Sequence, residues 1–143
     1  MIKQFTDIDI ERISVILGKP SAKQENTFSW KIKNDETHQT LVFTIYTNVP
    51  LADSGETTNI ISVQNNQGYF ELHSCTDYLL FEPDEVIFIE ASEEFLSSLV
   101  IGQTGTVSMF SNIRRSLLHE DITSLDAPLL LSAMQLALAD SML

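Results

Sequence analysis

Residues 34–113 contain no lysine or arginine, an interval of eighty positions. The same interval holds twelve carboxylates, and it alone accounts for the net charge of −12, since the flanking segments, at +2 and −2, cancel. A field of this sign repels phosphate and anionic membrane surface and favours cations or a basic partner. Basic stripes with interleaved aromatics are missing as well, which disfavours nucleic-acid binding. One cysteine, Cys75, excludes an internal disulfide and any multi-cysteine zinc site, and fits a reducing cytoplasmic setting. No Gly-x-x-x-x-Gly-Lys-Ser/Thr or Gly-x-Gly-x-x-Gly cradle is present, so no phosphate-bearing cofactor is implied. The Gly-x-Ser-x-Gly elbow is also absent, and three scattered histidines with one cysteine support no nucleophilic triad. Long apolar runs are lacking: the longest tract, 127–139, is interrupted by Pro128, Ser132 and Gln135. That is short of the roughly 20 residues that a membrane span needs. Asp7, Asp9 and Glu11 stand where an export leader would be cationic and then apolar. The expectation is a cytoplasmic protein without membrane contact.

What is present suits one globular domain over residues 1–143, with 43% hydrophobic and 20% charged residues. A chain of this length buries roughly 70% of its unfolded surface. Thr6 and Asp9 form a Thr-x-x-Asp variant of the capping box, with Phe5 and Ile10 placed as a hydrophobic staple. Ile10, Ile13 and Leu17 recur at helical spacing, and Gly18 followed by Pro20 ends the helix. Phe28, Trp30 and Ile32 alternate with polar residues, as on a half-buried strand. Residues 39–47 continue as a strand with Leu41, Phe43 and Ile45 on one face and Val42 and Tyr46 on the other. Residues 58–64 and 69–74 flank Asn65-Asn66-Gln67-Gly68, a hairpin turn tolerant of positive φ. Val86, Ile87, Phe88 and Ile89 are apolar on both faces and predict a central strand over 85–90. Ser92 caps an expected helix with Phe95, Leu96, Leu99 and Val100 on one side, closed by Gly102. A strand at 106–110 and a short helix near 113–119 precede a terminal helix beginning near 124–126.

The fold class expected from this pattern is α+β: a mostly antiparallel sheet of about five to seven strands, with N- and C-terminal helices on one face. The terminal helix is apolar nearly all round, with only Ser132 and Gln135 as a polar stripe. Such a helix needs cover on several sides. Either it lies deep in the fold, or Leu131, Met134, Leu138 and Met142 meet a second copy in a twofold homodimer.

Reactive constellations are few. Glu71, His73 and Cys75 alternate, so a continuous strand would point all three the same way, opposite Phe70 and Leu72. Carboxylate, imidazole and thiolate suit zinc or iron with one further ligand such as Asp77. A solvated strand face collects the same residue types without any metal. Glu82-Pro83-Asp84-Glu85 and Asp53-Ser54-Gly55-Glu56 lack EF-hand spacing and read as solubilising loops. His119-Glu120-Asp121 reads as solvent contact near a helix end, and Arg114-Arg115 as ion-pair partners for the acidic interval.

The leading functional expectation is an acidic, non-enzymatic protein-interaction module whose sheet face or loops engage a basic or cationic partner surface. In size, acidity and the helices expected at both ends, the chain is similar to type III secretion chaperones. That resemblance implies an adaptor or secretion-type chaperone, although five strands before the second helix depart from the three of that family. The remaining alternative is a metal-binding domain around Glu71, His73 and Cys75.

Overall fold

A computed structural model describes residues 2–66, 68–81 and 83–114. The described chain opens with α1 (Asp7–Leu17), whose capping box forms as the sequence predicts. The Thr6 hydroxyl accepts from the Asp9 amide, and an Asp9 oxygen accepts from the Thr6 amide at 2.9 Å. Gly18, at φ +80°, lets the chain turn out of the helix, a conformation that a side chain would strain. Its carbonyl accepts from Trp30 Nε1 at 2.8 Å, which ties the end of α1 to the first sheet.

Nine strands follow: β1 (Ala22–Gln24), β2 (Thr27–Lys33), β3 (Thr40–Pro50), β4 (Thr57–Asn65), β5 (Gly68–His73), β6 (Asp77–Phe81), β7 (Glu85–Ala91), β8 (Phe95–Gly102) and β9 (Val107–Arg114). They form two antiparallel meanders, β1–β2–β3–β4–β5 and β6–β7–β8–β9. Each strand pairs with its sequence neighbour through a short connection, which antiparallel pairing permits. The two sheets pack face to face over a shared core. Trp30 stacks on Phe43 with ring centroids 4.8 Å apart, and Phe43 meets Phe88 of the second sheet at 5.4 Å. The helix joins both sheets, through Trp30 on one side and through Tyr78 and β7 on the other.

The expected α+β architecture is corrected by this arrangement. Two sheets of five and four strands replace one sheet of five to seven, and α1 is the single helix among the described residues. The helix expected after Ser92 is strand β8. Its inner residues, Leu99 and Ile101, face the first sheet, whereas Leu96 and Val100 belong to a separate apolar cluster on the other face. Burial on both faces erases the alternation that marks a strand, and the resulting apolar run mimics helical spacing. Ser92 makes a hairpin turn instead of a cap: its amide donates to the Phe95 carbonyl at 2.9 Å. Strand β6 shows no alternation in sequence either, since Tyr78, Leu79, Leu80 and Phe81 run together without polar punctuation, although only Tyr78 among them is buried. The expected terminal helix, with Leu131, Met134, Leu138 and Met142, lies outside the described residues, as does the segment containing Arg115 and His119. The bulk likeness to type III secretion chaperones rested on size, acidity and helices at both ends; the nine strands in two sheets depart further from the three of that family, and the second of those helices lies outside the described residues.

Asp9 is the buried charge that locks α1 to the second sheet. Burial would raise its carboxyl pKa, but hydrogen bonds from Thr6 and from the Tyr78 hydroxyl, with Lys3 beside it, hold it below the ordinary value. The Tyr78 oxygen is 2.7 Å from Asp9 Oδ1 and Lys3 Nζ is 3.4 Å away. An unfolded aspartate titrates near pH 3.9, above the folded value. The resulting stabilisation is full above about pH 4 and is lost as pH falls through the folded value. Asp9→Asn is therefore expected to lower stability at neutral pH and to flatten the acid limb of the stability–pH profile. Urea midpoints measured between neutral and acid pH check this; an acid limb as steep as in the parent would contradict the assignment.

Candidate interaction face on the first sheet

The strand alternation of β2 to β5 buries one face and exposes the outer rows of the other, whose central Thr44 and Ser62 are buried beneath their neighbours. Three cross-strand rows build the open face. Lys31, Val42, Gln64 and Tyr69 form the first, Ser29, Thr44, Ser62 and Glu71 the second, and Thr27, Tyr46, Ile60 and His73 the third. The middle row carries three hydroxyl residues, with Ser29 Oγ and Thr44 Oγ1 3.1 Å apart, and Glu71 stands at its end opposite Ser62. The outer rows leave large side chains in solvent: Tyr69 is 57% exposed, Val42 41% and Tyr46 38%.

Along β5, Tyr69, Glu71 and His73 point the same way because they are two residues apart. The Tyr69 hydroxyl donates to one Glu71 oxygen, and the other lies 2.7 Å from His73 Nε2. The tyrosine hydrogen bond, then the histidine, lower the Glu71 pKa, while the same bond raises that of Tyr69. Glu71 thus stays a carboxylate held between two neighbours, and Tyr69 stays a neutral phenol. His73 also acts on Glu90 of β7, whose carboxyl is raised by burial and pulled back by the imidazole. The face is graded in charge: Lys31 and Lys33 lie on β2, and Glu71 and His73 lie three strands away on β5. Such a surface offers ring planes, a fixed acceptor and no enclosing walls, which suits contact with another surface.

The structure brings Glu71 and His73 together and places Cys75 elsewhere. Ser74 adopts φ +58°, which ends the alternation after His73. Within two residues the chain leaves one sheet for the other: the Ser74 amide donates to Asn59 of β4, and the Thr76 amide to Ile89 of β7. Cys75, at the crossing, turns into the core and is fully buried. Burial pushes its thiol up to about 12. Among the described residues no group of three or more His, Cys, Asp or Glu side chains converges as a metal site would require.

The carboxylates of the cation-free interval do not form one acidic sheet face. Asp35, Glu36 and Asp84 sit in turns at one end of the sandwich, where the Gln103 amide donates to the Asp84 carbonyl and Gly105 lies against Ile32 and Asn34. Asp53 and Glu56 cap the opposite end of the first sheet, and Glu93 and Glu94 that of the second. Arg114 ends β9 in solvent, with no ion pair to a described carboxylate.

Tyr46 and Tyr69 were not singled out from sequence. Their signal was parity: Tyr69 shares that of Glu71 and His73, and Tyr46 that of Val42. Comparison with family models, with curated proteins and with solved structures yields no match. Among the described residues no helix is long and apolar enough to cross a membrane.

Proposed function

We propose that the protein is a non-enzymatic interaction module that docks a basic protein segment on the open face of its first sheet, in a reducing cytoplasmic setting. The observation that carries this reading is the Tyr69–Glu71–His73 line, with Tyr46, Val42 and Ile60 beside it on a solvent-facing surface. A Lys or Arg of the partner meets the anchored Glu71 carboxylate and the ring faces of Tyr69 and Tyr46. Lys31 and Lys33 repel cations from the far margin, so the partner's positive groups settle on the β5 side. The net charge of −12 adds a long-range attraction that speeds encounter and fades with salt.

The test uses an oligoarginine peptide and the full chain. Tyr69→Ala and Glu71→Gln are each expected to weaken binding about tenfold, equivalent to about 1.4 kcal/mol. Glu93→Gln and Asp53→Asn, in the end turns, are expected to change it less than about twofold, as for screened rim charges. Raising the ionic strength from low to physiological should weaken binding to the parent. Equal losses on removing any carboxylate would show diffuse attraction without a docking face, and would end this reading.

A further inference from the structure

Strand β5 is an edge of the first sheet: among the described residues it pairs with β4 alone. The direction of its backbone groups follows from its C-terminal end. The Ser74 amide donates to the Asn59 carbonyl at 3.0 Å, and Ile60 stands opposite His73 in the register. Antiparallel pairs alternate between bonded and non-bonded positions, so Phe70 and Leu72 turn their amides and carbonyls to β4. Tyr69, Glu71 and His73 turn theirs away, to the edge. The residues whose side chains line the open face are thus the ones whose backbone groups lie along its margin. The register from Ile60–His73 to Asn65–Gly68 runs without a bulge, and β5 holds neither lysine nor proline, the common guards of an edge. The opposite edge, β1, is three residues long and carries Lys23.

We infer that the basic partner segment pairs with β5 as an added strand, its main chain bonded to that of Tyr69, Glu71 and His73. The pairing rests on the docking reading and adds the track that the segment follows. An added strand continues the cross-strand rows, so its residue opposite Glu71 shares the open face, with Cα atoms about 5.5 Å apart at a bonded antiparallel pair. An arginine or lysine there meets the carboxylate that Tyr69 and His73 hold in place. The residues on either side of it point to the inner face, beside the half-buried Phe70, where an apolar side chain packs. The partner's signature is therefore an extended segment that alternates basic and apolar residues. A second copy of β5 fits poorly, because it would bring its own Glu71 and a net charge of −12 to the same edge.

Amide exchange and N-methylated peptides test the inference on the full chain, with a peptide of alternating arginine and valine as the probe. At saturation the amides of Tyr69, Glu71 and His73 should exchange at least about tenfold more slowly, while those of Val42 and Ile60 keep their rates. N-methyl groups on the arginines remove the donors that face β5 and should weaken binding about tenfold. On the valines they lie at the new outer edge and should change it less than about twofold. Equal affinity of the two methylated peptides, with Glu71→Gln still weakening the unmethylated one, would mean that side chains alone dock on the face. That result overturns the strand pairing and leaves the docking reading standing. Binding indifferent to Glu71→Gln, or no binding of any peptide, overturns both. Protection of the three amides in the peptide-free protein would show the edge already held, by a second copy where dilution releases it, and likewise overturns the pairing.

Discussion

Phe88→Ala lowers the stability of the fold by about 4 kcal/mol, the range for deleting a fully buried aromatic ring. Phe88 is 0% exposed, and its ring lies 5.4 Å from Phe43, 6.0 Å from Phe5 and 6.4 Å from Tyr78, centroid to centroid. Those neighbours come from the first sheet, the segment before α1 and strand β6. One truncation therefore opens a cavity where three parts of the chain meet, and close packing leaves little room for collapse. Phe88→Leu, which refills most of the volume, is expected to cost about 1.5 kcal/mol. Phe95, at 36% exposed in the β7–β8 hairpin, is the control, and its truncation should cost less than about 1 kcal/mol. Urea unfolding reads all three as midpoint shifts at constant slope. A loss under 1 kcal/mol for Phe88→Ala would mean that the sheets do not meet at this ring.

Asn59→Ala removes about 3 kcal/mol by a different mechanism. The Asn59 side chain is fully buried on β4 and serves three backbone groups. Its amide nitrogen donates to the Lys3 carbonyl and to the Cys75 carbonyl at 2.9 Å, and its oxygen accepts from the Cys75 amide at 2.8 Å. These bonds hold the N-terminal segment and the crossing between sheets in place. Alanine leaves buried polar groups without those partners, at about 1–3 kcal/mol each before relaxation. The Lys3 amide still serves the Cys75 carbonyl at 2.9 Å, which moderates the sum. Asn59→Asp sharpens the assignment. An ionised carboxylate there faces two carbonyl oxygens, so this variant should be less stable than Asn59→Ala at neutral pH. It should recover on acidification, because a protonated carboxyl can donate to one of them. A stability of Asn59→Asp that does not depend on pH in this way would show that the side chain does not face those carbonyls.

The parts of the fold that sequence alone conveyed are those with one wet face. Phe28, Trp30 and Ile32 alternate with exposed or half-buried polar residues, and the strand is read directly. The Thr6–Asp9 box is equally local, and both of its hydrogen bonds are present. Strands β7 and β8 of the second sheet are buried on both faces, and β6 is apolar throughout Tyr78–Phe81, so β6 and β8 lack a period and the spacing in β8 looks helical. The division into two sheets hangs on Ser74 at φ +58° and on the Asn59 bonds to Cys75, which no spacing announces. The same residue explains why Glu71 and His73 stay together while Cys75 departs. Charge was countable from composition, but its distribution among turns at both ends needed the strand order.

The docking reading is tested most directly by mapping amide and methyl shifts in the full, isotope-labelled chain during titration with an oligoarginine peptide. The expected result is a contiguous set of changes at Val42, Tyr46, Ile60, Tyr69, Glu71 and His73 that shrinks as salt is added. Changes confined to the acidic turns around Asp35, Asp53, Asp84 and Glu93, or no changes at all, would contradict it.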